Sequence, residues 1–267
     1  MISFREFVNA YRQLGLSNNQ PVIVHASLSA VGEIRGGAET VLGALLPTVK
    51  GVMVPTFTYK TMVIPEVGPP NNAADYGAGK DTNRLAEFFQ PNMPGDPLMG
   101  LLPEIVRKHP QACRSDHPIL SFAGIHVEEA LAAQSISEPL APFRILAEDN
   151  GAVLLIGEDH TVNTSIHYAE QLAGRKQFIR WALTTNGIRE CPGFPGCSEG
   201  FEQATAYLSP FTRSARIGTA TLRLIPLAPL VMTLTDLLRS DPLALLCQRE
   251  DCRCEEVRRS ITAPLST

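Results

Sequence analysis

Apolar and polar positions along this chain follow two periods. Phe4, Phe7, Val8, Tyr11 and Leu14 recur at helical spacing. Ser3 and Glu6 form a capping-box pattern in front of them, and Gly15 stops the run. A short β-branched run, Pro21-Val22-Ile23-Val24-His25, predicts a buried strand. Small residues from Ala26 to Gly32 follow it, and Gly36-Gly37 leads into a helix from Ala38 to Leu46 with Glu39 in its first turn. Val52 to Tyr59 predicts a second strand, Pro97 to Lys108 a helix, Ile119 to Gly124 a strand and Val127 to Ala133 a short helix. Val153 to Gly157 is a further buried strand. A helix starts after it at Asn163, a good N-cap, and stops at Gly174.

Apolar runs that alternate with helical patterns predict an α/β fold, with a central, mostly parallel or mixed sheet flanked by helices. After Arg175 the character changes. Gln177 to Leu183 and Ile217 to Ile225 read as strands of a smaller β-rich C-terminal part, and Thr233 to Arg239 and Leu243 to Leu246 as helical. A single domain over residues 1–267 is expected, with an internal boundary near residue 175. The stretch from Ile64 to Asp81, full of Pro, Gly and Asn, is too long for a simple connection and reads as a functional loop.

Composition narrows the function. A hydrophobic share of 44% over 267 residues suffices for a sizeable core. The net charge of -4 argues against nucleic acid or an anionic membrane as partner. No apolar run approaches the ~20 residues of a membrane span, and Met1 to Glu6 lacks the marks of a signal peptide. A cytoplasmic protein with reduced thiols is expected.

The candidate chemistry gathers after the strand at Val153. Thr164, His167 and Glu170 lie at i, i+3 and i+6, so neighbours in the series share one side of a helix. A histidine can take and return a proton near neutral pH. Glu170 is placed to fix its tautomer, with Asp159 as second choice. Thr164 offers a hydroxyl at the positive end of the helix dipole, where a developing oxyanion is stabilised. The glycines from residue 27 to 37 fit neither GxGxxG nor the P-loop, and no GxSxG elbow or HExxH pair is present. His25, at a strand end, and His117, before a proline, read as structural histidines, and no metal is expected in the chemistry. Cys113 stands alone. Cys191 and Cys197 form one cysteine group, and Cys247, Cys252 and Cys254 another. Their spacings depart from the usual x2 of a zinc ribbon, so reduced thiols are expected, with a structural zinc as the alternative.

In this order the motifs resemble the aminoglycoside 3-N-acetyltransferase family. Four stretches carry the resemblance: His25-Ala26-Ser27-Leu28-Ser29-Ala30-Val31-Gly32 with Gly36 to Val41, Val54-Pro55-Thr56-Phe57, Arg114-Ser115-Asp116-His117-Pro118, and Gly157 with Asn163 to Glu170. Pro195 to Phe201 is a smaller echo, so the resemblance covers roughly residues 3 to 210. It implies an antibiotic N-acetyltransferase fold. The implied activity is transfer of the acetyl group of acetyl-coenzyme A to the 3-amino group of a deoxystreptamine ring, a route to antibiotic resistance. It implies that Ser27, Leu28, Ser29, Ala30, Val31 and Gly32 meet the coenzyme, with Arg114 and Ser115 near it. His167 matches the base and Thr164 the hydroxyl beside it. An acidic cleft would hold a polycationic amine, with Asp159, Asn163, Tyr59, Glu66 and Asp75 as candidates. The loop from Ile64 to Asp81 and the C-terminal cysteines depart from the family pattern. Acetylation of another amine, or a coenzyme-binding module without turnover, are the alternatives.

Overall fold

The computed structural model describes residues 1–262. Ten strands are β1 (Pro21–Ala26), β2 (Gly51–Pro55), β3 (Met62–Val63), β4 (Ala112–Arg114), β5 (Phe122–Ile125), β6 (Ala152–Ile156), β7 (Phe178–Thr184), β8 (Gly187–Phe194), β9 (Arg213–Ile217) and β10 (Ala220–Pro226). Seven form the main sheet in the order β4-β5-β2-β1-β6-β10-β9. The central strand β1 runs parallel to β2 and β6, and antiparallel strands extend the sheet on both sides. Parallel strands are buried on both faces, which is why β1 and β6 read as continuous apolar runs. Their side chains alternate between two cores. Ile23, Met53, Val153 and Leu155 enter one, while Val22, Val24, Val54 and Leu154 enter the other.

The helix Phe4–Gln13 covers the second core with Phe7 and Tyr11, and its capping box forms as its sequence predicts. The helices Gly37–Leu45 and Leu101–Lys108 pack beside it. On the opposite face lie Pro142–Glu148, Ser165–Leu172 and Leu227–Ser240. None of the helices among the described residues is long and apolar enough to cross a membrane.

The α/β expectation holds, with local corrections. The small sheet is β3-β7-β8, so one of its strands precedes residue 175. The segment Ile217 to Ile225 belongs elsewhere: β10 pairs antiparallel with β6 inside the main sheet, and β9 forms the edge beyond it. Strand periodicity alone does not say which sheet a strand joins. The helix expected from Pro97 breaks at Gly100, whose φ is 84°. The strand expected to Tyr59 ends at Pro55, and the strand expected from Ile119 begins at Phe122. Beyond those ends the two chains remain tied by single bonds, Thr56 N to Ser121 O (2.9 Å) and Thr58 N to Ile119 O (2.8 Å). Leu243 to Leu246 forms a turn and loop rather than a helix.

Candidate active site

A cavity of about 840 Å³ opens at the carboxyl ends of β1, β2 and β6. This is where open α/β sheets bind ligands. One wall is the end of β1 with the loop to Ser29. A second carries Pro55, Phe57 and Tyr59, and a third is the β6 loop with Glu158, Thr161 to Thr164 and His167. Residues Phe194 to Glu199 and Arg253 close the fourth side.

His167 sits in the first turn of the helix Ser165–Leu172 and is 7% exposed. Its Nδ1–H donates to Glu170 Oε2 at 2.6 Å. An ionised carboxylate can only accept, so this contact places the proton on Nδ1 and leaves the lone pair on Nε2. The other carboxylate oxygen accepts from Arg175 Nη1 at 2.7 Å. The remaining arm of Arg175 donates to Pro242 O (2.6 Å) and Ala244 O (2.7 Å). A buried line of hydrogen bonds therefore runs from the cavity through His167 and Glu170 to Arg175. The Phe201 ring lies 4.7 Å from the imidazole, centroid to centroid, and restricts its rotation.

The start of the same helix is held from below. Asn163 Oδ1 accepts from Ser165 N (3.2 Å), and its amide nitrogen donates to His160 Nδ1 (3.1 Å). His160 N in turn donates to Glu202 Oε2 at 2.8 Å. Asn163 thus lines the cavity with its polar atoms already committed. The Thr164 hydroxyl makes no protein hydrogen bond among the described residues and borders the cavity.

The β1 loop turns into a short helix, Leu28–Val31, whose first N–H groups lack intrahelical acceptors. Ser27, Leu28 and Ser29 line the cavity. Ala30, Val31 and Gly32 do not: Val31 is fully buried in the second core, and Ala30 O accepts from Thr219 Oγ1 (2.6 Å). Gly157 joins the two loops. Its φ is +65°, and an added Cβ would lie 2.9 Å from Ala30 Cβ and 3.1 Å from Ser27 O.

Other expected contacts sit apart from the cavity. Arg114 spends its guanidinium on Thr56 O (2.8 Å), Pro91 O (3.1 Å), Met93 O and Ser121 Oγ. It is a strut between the end of β2 and residues 91–93. Burial lowers its pKa to about 10. Ser115 Oγ accepts from Phe122 N (2.9 Å), and His117 Nδ1 accepts from Ile119 N and Leu120 N. Burial lowers the His117 pKa to about 4, so the ring stays neutral. Residues 114–117 therefore build the turn between β4 and β5. Burial likewise lowers the pKa of His25 to about 3, although His25 borders the cavity.

Asp159 Oδ1 accepts from Thr161 N (2.8 Å) and Thr161 Oγ1, capping its own turn. Glu66 is exposed. Asp75 borders a second, shallower depression with Arg249, Asp251 and Glu255. The carboxylates that do line the cavity are Glu158 and Glu199, which sequence reasoning passed over. Burial and the neighbouring Asp159 raise the pKa of Glu158. Glu199 Oε1 accepts from Arg249 Nη1 at 2.7 Å. Glu158 adjoins the chosen Asp159, and only the direction of the turn separates them. Arg175 carried a usable signal, an arginine five residues after Glu170 at a helix end.

The family model described as aminoglycoside 3-N-acetyltransferase matches residues 23–239. Aminoglycoside N(3)-acetyltransferase VII of Streptomyces paromomycinus is 35% identical over 178 residues, 62% of this chain and 60% of that protein. Aminoglycoside N(3)-acetyltransferase IX of Micromonospora chalcea is 32% identical over 191 residues, covering 66% of each. The matched region thus spans less than two thirds of these relatives' length. The crystal structure of the aminoglycoside acetyltransferase AAC(3)-IVa apoenzyme superposes with a TM-score of 0.79 at 24% identity, covering 97% of each chain, which shows a shared fold. By the match over residues 23–239, the chain belongs to the aminoglycoside 3-N-acetyltransferase family.

Proposed function

We propose that this protein transfers the acetyl group of acetyl-coenzyme A to the 3-amino group of the deoxystreptamine ring of an aminoglycoside. The observation that carries the reading is the His167–Glu170–Arg175 line ending at the cavity wall. Family membership supplies the reaction class, and the cavity supplies the room. At about 840 Å³ it lies near the upper end of ligand sites, as two convergent substrates require.

In this mechanism the amine is bound beside His167. Nε2 accepts a proton as the nitrogen attacks the thioester carbonyl, and the C–N bond forms. Glu170 stabilises the imidazolium through Nδ1–H, and Arg175 orients Glu170 through its other oxygen. The tetrahedral oxyanion is met by the Thr164 hydroxyl at the start of the helix. Collapse breaks the C–S bond, and the coenzyme leaves as the thiol after taking the proton that His167 Nε2 received from the amine, which returns the imidazole to its neutral form. General-base action of this kind is worth roughly 10²–10⁴-fold, and alignment of amine and thioester supplies much of the rest.

Ser27 and Ser29 present their hydroxyls, and Leu28 and Ser29 their N–H groups at the helix start, to the coenzyme side, while Ser27 N donates to Ile156 O (2.9 Å). Arg114 and Ser115 act on that side as scaffold, holding the turn rather than the coenzyme. Glu158 and Glu199 provide the negative charge for a polycationic amine, with Tyr59 on the facing wall. Asp159, Glu66 and Asp75 act at most at longer range, as does Asn163 through the helix start.

The test is thiol release from acetyl-coenzyme A, measured against a panel of aminoglycosides and simple polyamines. Turnover with deoxystreptamine drugs, with the product acetylated at the 3-amino group, is the expected result. Turnover confined to simple polyamines moves the substrate to another amine, and coenzyme binding without turnover on any amine overturns the enzymatic reading.

A further inference from the structure

Four of the six cysteines converge behind the fourth wall of the cavity. Cys197, Cys247, Cys252 and Cys254 place their sulfur atoms within 4.8 Å of one another. Cys197 Sγ and Cys247 Sγ are 3.9 Å apart. That is far beyond the roughly 2.05 Å of a disulfide. It matches the edge of a tetrahedron of thiolates around zinc, about 3.8 Å for Zn–S bonds of about 2.3 Å. The two remaining cysteines are elsewhere: Cys113 is exposed, and Cys191 is buried in β8 with its thiol directed at Arg189 O.

The surroundings suit four thiolates. Glu199 N donates to Cys197 Sγ (3.4 Å), a contact that stabilises sulfur anions. Cys252 and Cys254 flank the start of the ten-residue helix Arg253–Thr262, where the helix dipole favours negative charge. Arg249, Arg253 and Arg258 stand around the cluster, and Arg258 donates to Cys247 O. A Cys₄ zinc site carries a net charge of about -2. Arg253, which has no carboxylate partner among the described residues, offsets part of it, while Arg249 is shared with Glu199 and Asp251 and Arg258 with Glu255. The sequence spacing, x4 and then x1 after a distant first cysteine, hides the site from motif rules. The fold assembles it by bringing Cys197 to the segment that precedes the last helix.

We propose that Cys197, Cys247, Cys252 and Cys254 bind one structural zinc ion that clamps the C-terminal segment onto the cavity wall. Binding forms four Zn–S bonds, releases the ion's water ligands and sends the thiol protons to solvent. The four ligands leave the ion no open position for chemistry. The clamp is positional. Cys197 lies between Gly196 and Ser198, and all three line the cavity. The C-terminal segment grips the same wall twice more: Arg253 Nη2 donates to Gly196 O (3.2 Å), and Arg249 holds Glu199. The ion therefore sets where Glu199 stands. The link to amine affinity rests on the proposed acetyltransferase reading, whereas the metal content does not.

The experiment measures metal by plasma mass spectrometry in the full chain, purified without chelator. About one zinc per chain is expected, released on titration of the thiols with a mercurial. Reconstitution with Co²⁺ should give the visible bands of tetrahedral thiolate cobalt. Cys252→Ser with Cys254→Ser should lose the metal, while Cys113→Ser and Cys191→Ala should keep it. Removing zinc should raise KM for the amine several-fold more than it lowers kcat. A wild-type chain that neither carries zinc nor takes it up after reduction overturns the site, as does stoichiometric iron in its place. Full zinc content in the double variant overturns the ligand assignment. If the metal is present but its loss leaves both the melting temperature and KM unchanged, the clamp is overturned while the site stands. If no amine is turned over, the metal measurements and the melting temperature still decide the site and its structural role.

Discussion

The loops after β1 and β6 make an instructive pair. Both leave adjacent parallel strands at the same end of the sheet. The β1 loop turns at once into the helix Leu28–Val31, while the β6 loop passes through a 3-10 turn, His160–Val162, before the helix Ser165–Leu172. The β1 loop carries Ser27, Leu28, Ser29 and Ala30, small or neutral side chains that leave the backbone open. The β6 loop carries Glu158, Asp159, His160 and Thr164, and the helix it leads into carries His167, so the unit is dense in titratable groups. One unit therefore offers backbone and hydroxyls to a ligand, and the other offers proton chemistry. The same strand-loop-helix geometry serves both, because the edge of a parallel sheet brings successive loops together whatever they carry. Gly157 is the seam, with no room for a side chain between the two loops.

The sharpest way to separate the two loops is His167→Ala. It should lower kcat by roughly 10²–10⁴-fold, while calorimetry shows coenzyme affinity within a few-fold of wild type. Near-normal turnover would remove His167 from the mechanism and with it the contrast between the loops.

The β6 unit also depends on a partner beyond its own helix. Arg175 and Glu170 have side chains only 4% and 2% exposed. Arg175→Gln leaves a buried carboxylate without its cationic partner, and breaking such a pair costs about 3–5 kcal/mol. Chemical denaturation should show that loss, and Glu170→Gln with Arg175→Gln should recover part of it. An additive double mutant would mean that the two side chains are not coupled.

Gly157→Ala probes the seam. A left-handed backbone at a non-glycine residue and a Cβ at 2.9 Å from Ala30 together should cost on the order of 1–3 kcal/mol. Coenzyme and amine affinity should both fall, since both loops move. A change confined to one of them would show that the loops shift independently. Gly32 is a weaker test of bulk than its sequence suggests. A Cβ there meets only Thr219 Oγ1 at 3.9 Å, so the strain of Gly32→Val comes from its φ of +103°.

The smallest effect belongs to Glu158→Gln. Its carboxylate lines the cavity, so KM for a polycationic amine should rise a few-fold in the variant. That difference should shrink at high salt, where exposed charges are screened over ~8–10 Å or less. Burial and Asp159 raise the Glu158 pKa, so its anion is lost at a higher pH than an ordinary glutamate's. Wild-type KM should therefore climb as the pH falls towards the carboxylate range, with the climb flattened in Glu158→Gln. Parallel pH profiles would take Glu158 out of the amine site.

Much of the fold was legible in the chain itself. β1 and β6 announce themselves as continuous apolar runs, because a parallel strand covered on both faces has no polar side to show. The first helix announces itself by its capping box. The spacing of Thr164, His167 and Glu170 sufficed for the pair at 2.6 Å, because contacts three apart on a helix are set by its pitch alone. Local spacing says nothing of Arg114, which only the family resemblance put near the coenzyme; its hydrogen-bond partners come from residues 56, 91, 93 and 121.

What the sequence determined by itself is thus what the 3.6-residue and two-residue periods determine: helices, buried strands and the pairing of side chains within one helical turn. Only the tertiary structure decided that β10 joins the main sheet beside β6, that Glu158 rather than Asp159 borders the cavity, and that Arg175 reaches back from residues 242 and 244 to Glu170. It alone brought Cys197 to Cys247, fifty residues away. These are contacts between distant segments, and their geometry depends on how whole elements pack, which no local period encodes.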